Sequence, residues 1–141
     1  MNTSPSSRAA SLLQGVRVLV VEDDALLLME LETILIGAGA EVIGVCRTVA
    51  DGVTAAQQDG IAAAVLDVRI GRDTIAPVAR QLASRGTPFV FYTGQVDNDP
   101  AIAEWRDHAI VAKPAKAATI VSAVAGLLPP GGCEPPKNGP R

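Results

Sequence analysis

Four places in this 141-residue chain put chemically capable residues directly after short apolar runs. Glu22, Asp23 and Asp24 follow VRVLVV, Asp67 follows AAAVL, Thr93 follows PFVFY, and Lys113, then Pro114, follows the run over 109–112. The set comprises carboxylates, a hydroxyl and an ammonium. Carboxylates held together repel and raise one another's pKa unless a cation lies between them. Mg²⁺ is the natural counter-ion, because it takes oxygen ligands and keeps several of its waters. A carboxylate can also act as a nucleophile and carry a phosphoryl group. Phosphoryl transfer asks mainly for positioning and charge neutralisation, which a dication, a hydroxyl and a lysine supply around the phosphoryl oxygens. Singly, these residues mean little. Asp67 would be an ordinary strand-end carboxylate, Thr93 a turn residue and Lys113 a surface lysine. The acidic triplet would be a helix start complementing the dipole. Asp24 fits that role as an N-cap, which leaves Glu22 and Asp23 to face a pocket.

Such residues meet only if the runs before them are strands ending on one edge. The β-branched run Val16–Val21 reads as a strand, followed by strands at Glu41–Val45, Ala62–Leu66, Pro88–Tyr92 and Ala109–Ala112. Between them lie helical patterns. Ala25–Ile36 has apolar residues at 27, 28, 31, 34 and 35 and stops at Gly37 and Gly39. Thr48 with Asp51 resembles a capping box opening a helix to about Gln58. Ile75–Ser84 is closed by Gly86, Asp99-Pro100 opens a short helix through Trp105, and Ala115–Leu128 is the last helix. Five βα units with no hairpin signal predict an α/β fold, a parallel sheet with helices on both faces. Ligands in such sheets bind beyond the carboxyl ends of the strands. The second strand ends in Cys46 and Arg47 and offers no carboxylate there.

Composition removes other classes. Hydrophobic residues make up 48% and charged residues 19%, so the chain is not of the disordered type. Aromatics are only 3% and the net charge is −3, which argues against base stacking and a phosphate-backbone footprint, hence against a nucleic-acid partner. No apolar run reaches the ~18 residues of a membrane span. Cys46 and Cys133 lack metal-ligand spacing, and the lone His108 does not complete a zinc site with them. A structural disulfide is not expected, and the expected location is the cytoplasm. Residues 1–14 read as a flexible segment, 15–128 as the folded domain, and 129–141, with five of the ten prolines, as a disordered tail. No separate output domain is expected. His108 and Trp105 read as structural residues, and Cys46 as a small buried apolar one.

VEDD after the first strand, LDV at the third, YTG after the fourth and KP after the fifth together resemble the receiver domain of two-component response regulators, over about 15–128. PFVFYTG, with APVA in the third helix, is similar to a stand-alone subgroup with a Phe-x-Thr-Gly motif. The resemblance implies a flavodoxin-like (βα)5 doubly wound sandwich with strand order 2-1-3-4-5. By position it implies Asp67 as phosphoacceptor, and Glu22, Asp23, Asp67 and the backbone carbonyl of Arg69 around Mg²⁺ (or Mn²⁺). Thr93, with Gly94, and Lys113 would contact the phosphoryl group, and the Lys113–Pro114 bond would be cis. Ile110 stands where many receivers carry Tyr or Phe, so the usual aromatic readout is missing and output is expected through the loop after Thr93 and the fourth helix. Arg69 and Arg72 flank the pocket in the loop after the third strand, and Arg69 is a candidate for tuning access of the hydrolytic water.

The implied partners are a sensor histidine kinase or histidine phosphotransfer protein and a downstream protein, with homodimer pairing through the helix faces the family uses. Output would be protein binding or a phosphate sink. The competing readings are an aspartate-nucleophile phosphatase of haloacid dehalogenase type, a flavodoxin-like FMN protein and a receiver-like module that works unphosphorylated. The phosphatase needs Asp-x-Asp after the first strand, which Glu22-Asp23-Asp24 does not provide. An acidic loop there would repel an FMN phosphate.

Overall fold

The structure, a computed structural model, describes residues 12–94, 100–105 (101 and 102 by backbone only) and 107–129. Residues 1–11 of the expected flexible segment, the tail from 130 onward and the expected cap at Asp99 lie outside the described residues.

The strands are β1 (Arg17–Val21), β2 (Glu41–Cys46), β3 (Ala63–Leu66), β4 (Arg69–Ile70), β5 (Asp73–Thr74), β6 (Phe89–Thr93) and β7 (Ile110–Ala112). The helices are α1 (Ala25–Gly37), α2 (Val49–Ala56), α3 (Ala76–Ser84) and α4 (Ala117–Ala125), with a 3₁₀ helix over Pro100–Trp105. Five strands form one parallel sheet in the order β2-β1-β3-β6-β7. Counting only those five, this is the expected order 2-1-3-4-5.

Alternation along the strands builds two cores. Val18 and Val20 of β1 face Leu28, Leu31 and Leu35 of α1 and Ile120, Val121 and Val124 of α4. Leu19 and Val21 face the other layer, with Ala56 of α2 and Val78, Ala79 and Leu82 of α3. Each fully buried aliphatic side chain contributes about 1.5–3 kcal/mol. Strands with both faces covered explain why these runs are continuously apolar.

The helix starts follow the sequence. Asp24 caps α1, its side chain accepting from the N–H groups of Leu26 at 2.9 Å and Leu27 at 3.1 Å. Thr48 caps α2 by accepting from Asp51 N–H at 3.1 Å. Gly39, at φ +98°, turns the chain out of α1 so that Ala40 N–H reaches Leu35 O at 3.0 Å.

Four local expectations change. The segment after β3 is a small antiparallel hairpin, β4–β5, not the plain loop expected there. Gly71 at φ +61° makes its two-residue turn, and Ile70 is buried beneath it. The segment through Trp105 is a 3₁₀ helix; it is short, and Trp105 is buried at its end. The last helix ends at Ala125, not Leu128. Leu13 is fully buried and donates its N–H to Ala38 O at 2.9 Å, so ordered packing begins before residue 15.

Candidate functional site

The carboxyl ends of β1, β3, β6 and β7 bring Glu22, Asp23, Asp67, Thr93 and Lys113 to one edge of the sheet. The sheet ladder sets their heights. Asp67 N–H continues the β1–β3 pairing to Val21 O at 3.0 Å, and Lys113 N–H continues the β6–β7 pairing to Thr93 O at 3.0 Å. Glu22, Asp67 and Thr93 are the buried polar or charged residues among those described. Three polar side chains gathered at one end of an otherwise apolar sheet mark a candidate site.

Lys113 organises the pocket. Its Nζ donates to Asp67 Oδ2 at 2.8 Å and lies 2.8 Å from Glu22 Oε1. The ammonium also stands 5.7 Å from the centre of the Tyr92 ring, and the Tyr92 hydroxyl accepts from Ala115 N–H at 3.3 Å, just beyond the cis Lys113–Pro114 bond. Burial alone would lower the pKa of Lys113, but its bonds to Asp67 and Glu22 outweigh that and raise it, so the ammonium stays charged. Burial pushes the Glu22 carboxyl up; the Lys113 contact and Asp24 N–H, which donates to Glu22 Oε2 at 3.1 Å, pull the other way, and the Asp67 charge adds to the rise.

The donor set fits a divalent metal ion. One ligand oxygen from each of Glu22, Asp23 and Asp67 falls within 4.8 Å of the others. Glu22 Oε1 is buried and, beyond its charge contact with Lys113, has no hydrogen-bond partner of its own. A buried carboxylate grouped with two further acids is a place where a cation is favoured. Oxygen-only ligands suit Mg²⁺ or Mn²⁺.

The remaining residues sit as follows. Arg69 opens β4 and is exposed, inside the hairpin. Gly94 is exposed directly after β6. Ile110 pairs with Phe91 across β6–β7 and packs, half-buried, on the core under α2 and α3. Trp105 is a packing residue, edge-on to Phe89 at 6.3 Å, and His108 stacks on that same Phe89 ring at 4.6 Å. Cys46 is a free, buried thiol.

Two residues around Asp23 were not legible as site residues. Gly71, at the hairpin tip, donates its N–H to Asp23 Oδ2 at 2.7 Å. Arg47 donates from Nη2 at 3.0 Å and Nε at 3.3 Å to the backbone carbonyl of Asp23. The position of Arg47 at the end of the second strand, on the same edge as the acids, was the available signal.

No family model and no curated protein matches the sequence. Solved structures do match. SdrG from Sphingomonas melonis Fr1 is 36% identical, with a TM-score of 0.70 over 80% of this chain and 96% of that one. The response regulator receiver protein from Sinorhizobium medicae WSM419 is 28% identical, with a TM-score of 0.71 over 82% of this chain and 95% of that one. A CheY-like response regulator receiver domain protein from Methanospirillum hungatei JF-1 shares the fold at 18% identity, with a TM-score of 0.70 over 80% of this chain and 93% of that one. Among the described residues no helix is long and apolar enough to cross a membrane. With nearly the full length of these relatives overlaid, the chain belongs to the response regulator receiver family.

Proposed function

We propose that this receiver is a phosphorylation-controlled signalling module in which Asp67 accepts a phosphoryl group from a histidine kinase or a histidine phosphotransfer protein. The observation that carries this reading is the Lys113 ammonium bonded to Asp67 Oδ2 and in contact with Glu22 at the mouth of an acidic pocket. An Asp67 carboxylate oxygen attacks phosphorus, the P–N bond of the phosphohistidine breaks, and its electron pair returns to the imidazole, which takes up a proton. Lys113 fixes the Asp67 carboxylate before attack and faces the charge that develops on the phosphoryl oxygens. Thr93, at the end of the neighbouring strand, supplies the hydroxyl on that side. Glu22, Asp23 and Asp67, with the Arg69 carbonyl, would hold Mg²⁺, which when bound supplies neutralisation of the phosphoryl oxygens.

The chain catalyses its own phosphorylation and dephosphorylation and is not an enzyme for outside substrates. Its output is protein binding or drainage of phosphate from a kinase. Added phosphate charge biases a two-state equilibrium at the Thr93 edge.

The test is incubation with Mg²⁺ and acetyl phosphate, followed by intact-mass measurement. A single phosphate adduct that is absent in Asp67→Asn is expected. No adduct, or one that survives Asp67→Asn, overturns the reading. Steady turnover of unrelated phosphate esters would point to a phosphatase instead.

A further inference from the structure

Asp23 is the most accessible of the three pocket acids, and it is held from two sides by elements that carry none of the others. On the side-chain side, the Gly71 N–H grips Oδ2 at 2.7 Å. On the main-chain side, Arg47 forks onto the carbonyl oxygen with Nη2 at 3.0 Å and Nε at 3.3 Å. The backbone explains why an arginine is needed. The β1–β2 ladder ends at Val21 and Cys46, and one further bond follows, Glu22 N–H to Cys46 O at 2.9 Å. Beyond it the chain turns into the Asp24 cap of α1, and the two main chains part. The Arg47 side chain continues the ladder where the backbone does not.

We infer that Arg47 is a positioning residue for Asp23: by fixing the peptide that follows the Asp23 Cα, it aims the carboxylate that the pocket presents to a divalent cation. This rests on the proposed reading of the pocket as a Mg²⁺ site. The fork matters, because two N–H groups in a rigid plane fix a carbonyl direction that a single flexible ammonium does not. Groups that orient a metal-binding carboxylate from outside the ligand set change metal affinity strongly when removed.

The sign of the effect separates positioning from simple charge. Arg47 is a cation beside a cation site, so as a mere charge its removal would tighten metal binding. As a positioning residue its removal weakens it. In calorimetric titration of the full-length protein with Mn²⁺, Arg47→Met is expected to bind about tenfold more weakly than the parent. Arg47→Lys, which keeps the charge and loses the fork, is expected to stay several-fold weaker. Unchanged or tighter binding in Arg47→Met, or full recovery in Arg47→Lys, overturns the inference. A second measurement needs no metal. In the metal-free protein the Gly71 amide resonance should move in Arg47→Met, because the acceptor it bonds to is no longer aimed; a fixed resonance overturns the inference. Arg47 is exposed, so the variant should fold, which its far-ultraviolet dichroism checks. If the parent binds no Mn²⁺ while the Gly71 amide still moves, the metal reading falls and the positioning of Asp23 stands.

Discussion

The Lys113 ammonium donates to Asp67 Oδ2 at 2.8 Å across 46 positions of sequence, joining the ends of two strands that are not neighbours in the sheet. β6 lies between them, so the side chain reaches over the Thr93 end of that strand. Lys113→Met therefore removes a cation shared by Asp67 and Glu22. One preorganised donor to a developing oxyanion is worth about 10²–10³ in rate, and phosphoryl uptake should fall by about that much. The variant also leaves Glu22 buried without its counter-charge, which costs about 3 kcal/mol or more. Urea unfolding and a time course of acetyl phosphate labelling check the two parts. Labelling at the parent rate would remove Lys113 from the chemistry.

Gly52 sets how closely α2 approaches the sheet. A Cβ there would stand 2.9 Å from Val78 Cγ2 and 3.3 Å from Val21 Cγ2. Val78 is β-branched and buried, so it has little room to move. Overpacking costs about 1–3 kcal/mol, against a gain of about 0.5–1 kcal/mol from replacing a helical glycine. Gly52→Ala should therefore lower the unfolding free energy by about 1 kcal/mol. Stabilisation in denaturant unfolding would show that α2 moves freely away from the sheet.

Much of this was legible in the sequence because each signal was local. VRVLVV, AAAVL and PFVFY are runs that only doubly covered strands tolerate, and the acid, hydroxyl and lysine after them lie at strand ends whatever the details of packing. Asp24 and Thr48 announce their helices through capping chemistry that needs only the next three residues. What could not be read depended on partners far away in the chain. The β4–β5 hairpin has two residues per strand and no alternation to detect, and it is held down by the burial of Ile70 and the grip of Gly71 on Asp23. Arg47 looks like a surface cation until β1 and β2 are side by side. Leu13 looks like part of a polar leader until the turn at Ala38 gives it a carbonyl and a core to enter.

Ile110 pairs with Phe91 and packs half-buried beside the Trp105 cluster, one strand away from the Thr93 edge. No bond links it to Asp67, Lys113 or the acidic pair among the described residues, so the chemistry should not need it. Ile110→Tyr should keep the acetyl phosphate labelling rate within about threefold, less than ~0.7 kcal/mol in barrier. A larger side chain at this half-buried position should cost about 1–3 kcal/mol of stability. Loss of labelling in a folded variant would tie Ile110 to the pocket.

Cys46 gives the fold a pH dependence of its own on the alkaline side. Burial pushes its thiol pKa up, and the nearby Asp51 charge adds to the rise. In the unfolded chain a thiol ionises near its ordinary value of about 8.5. Below that pH both states hold the proton and the group contributes no pH dependence. Above it the unfolded state releases the proton first, so stability falls as pH climbs towards the raised folded value, by at most about 1.4 kcal/mol per pH unit. Cys46→Ala removes this one decline and leaves every other titrating group in place. Urea unfolding under reducing conditions at pH 7 and pH 9.5 should therefore show the parent losing more stability than Cys46→Ala over that interval. Equal losses in the two proteins would mean that the thiol is not held protonated by the fold.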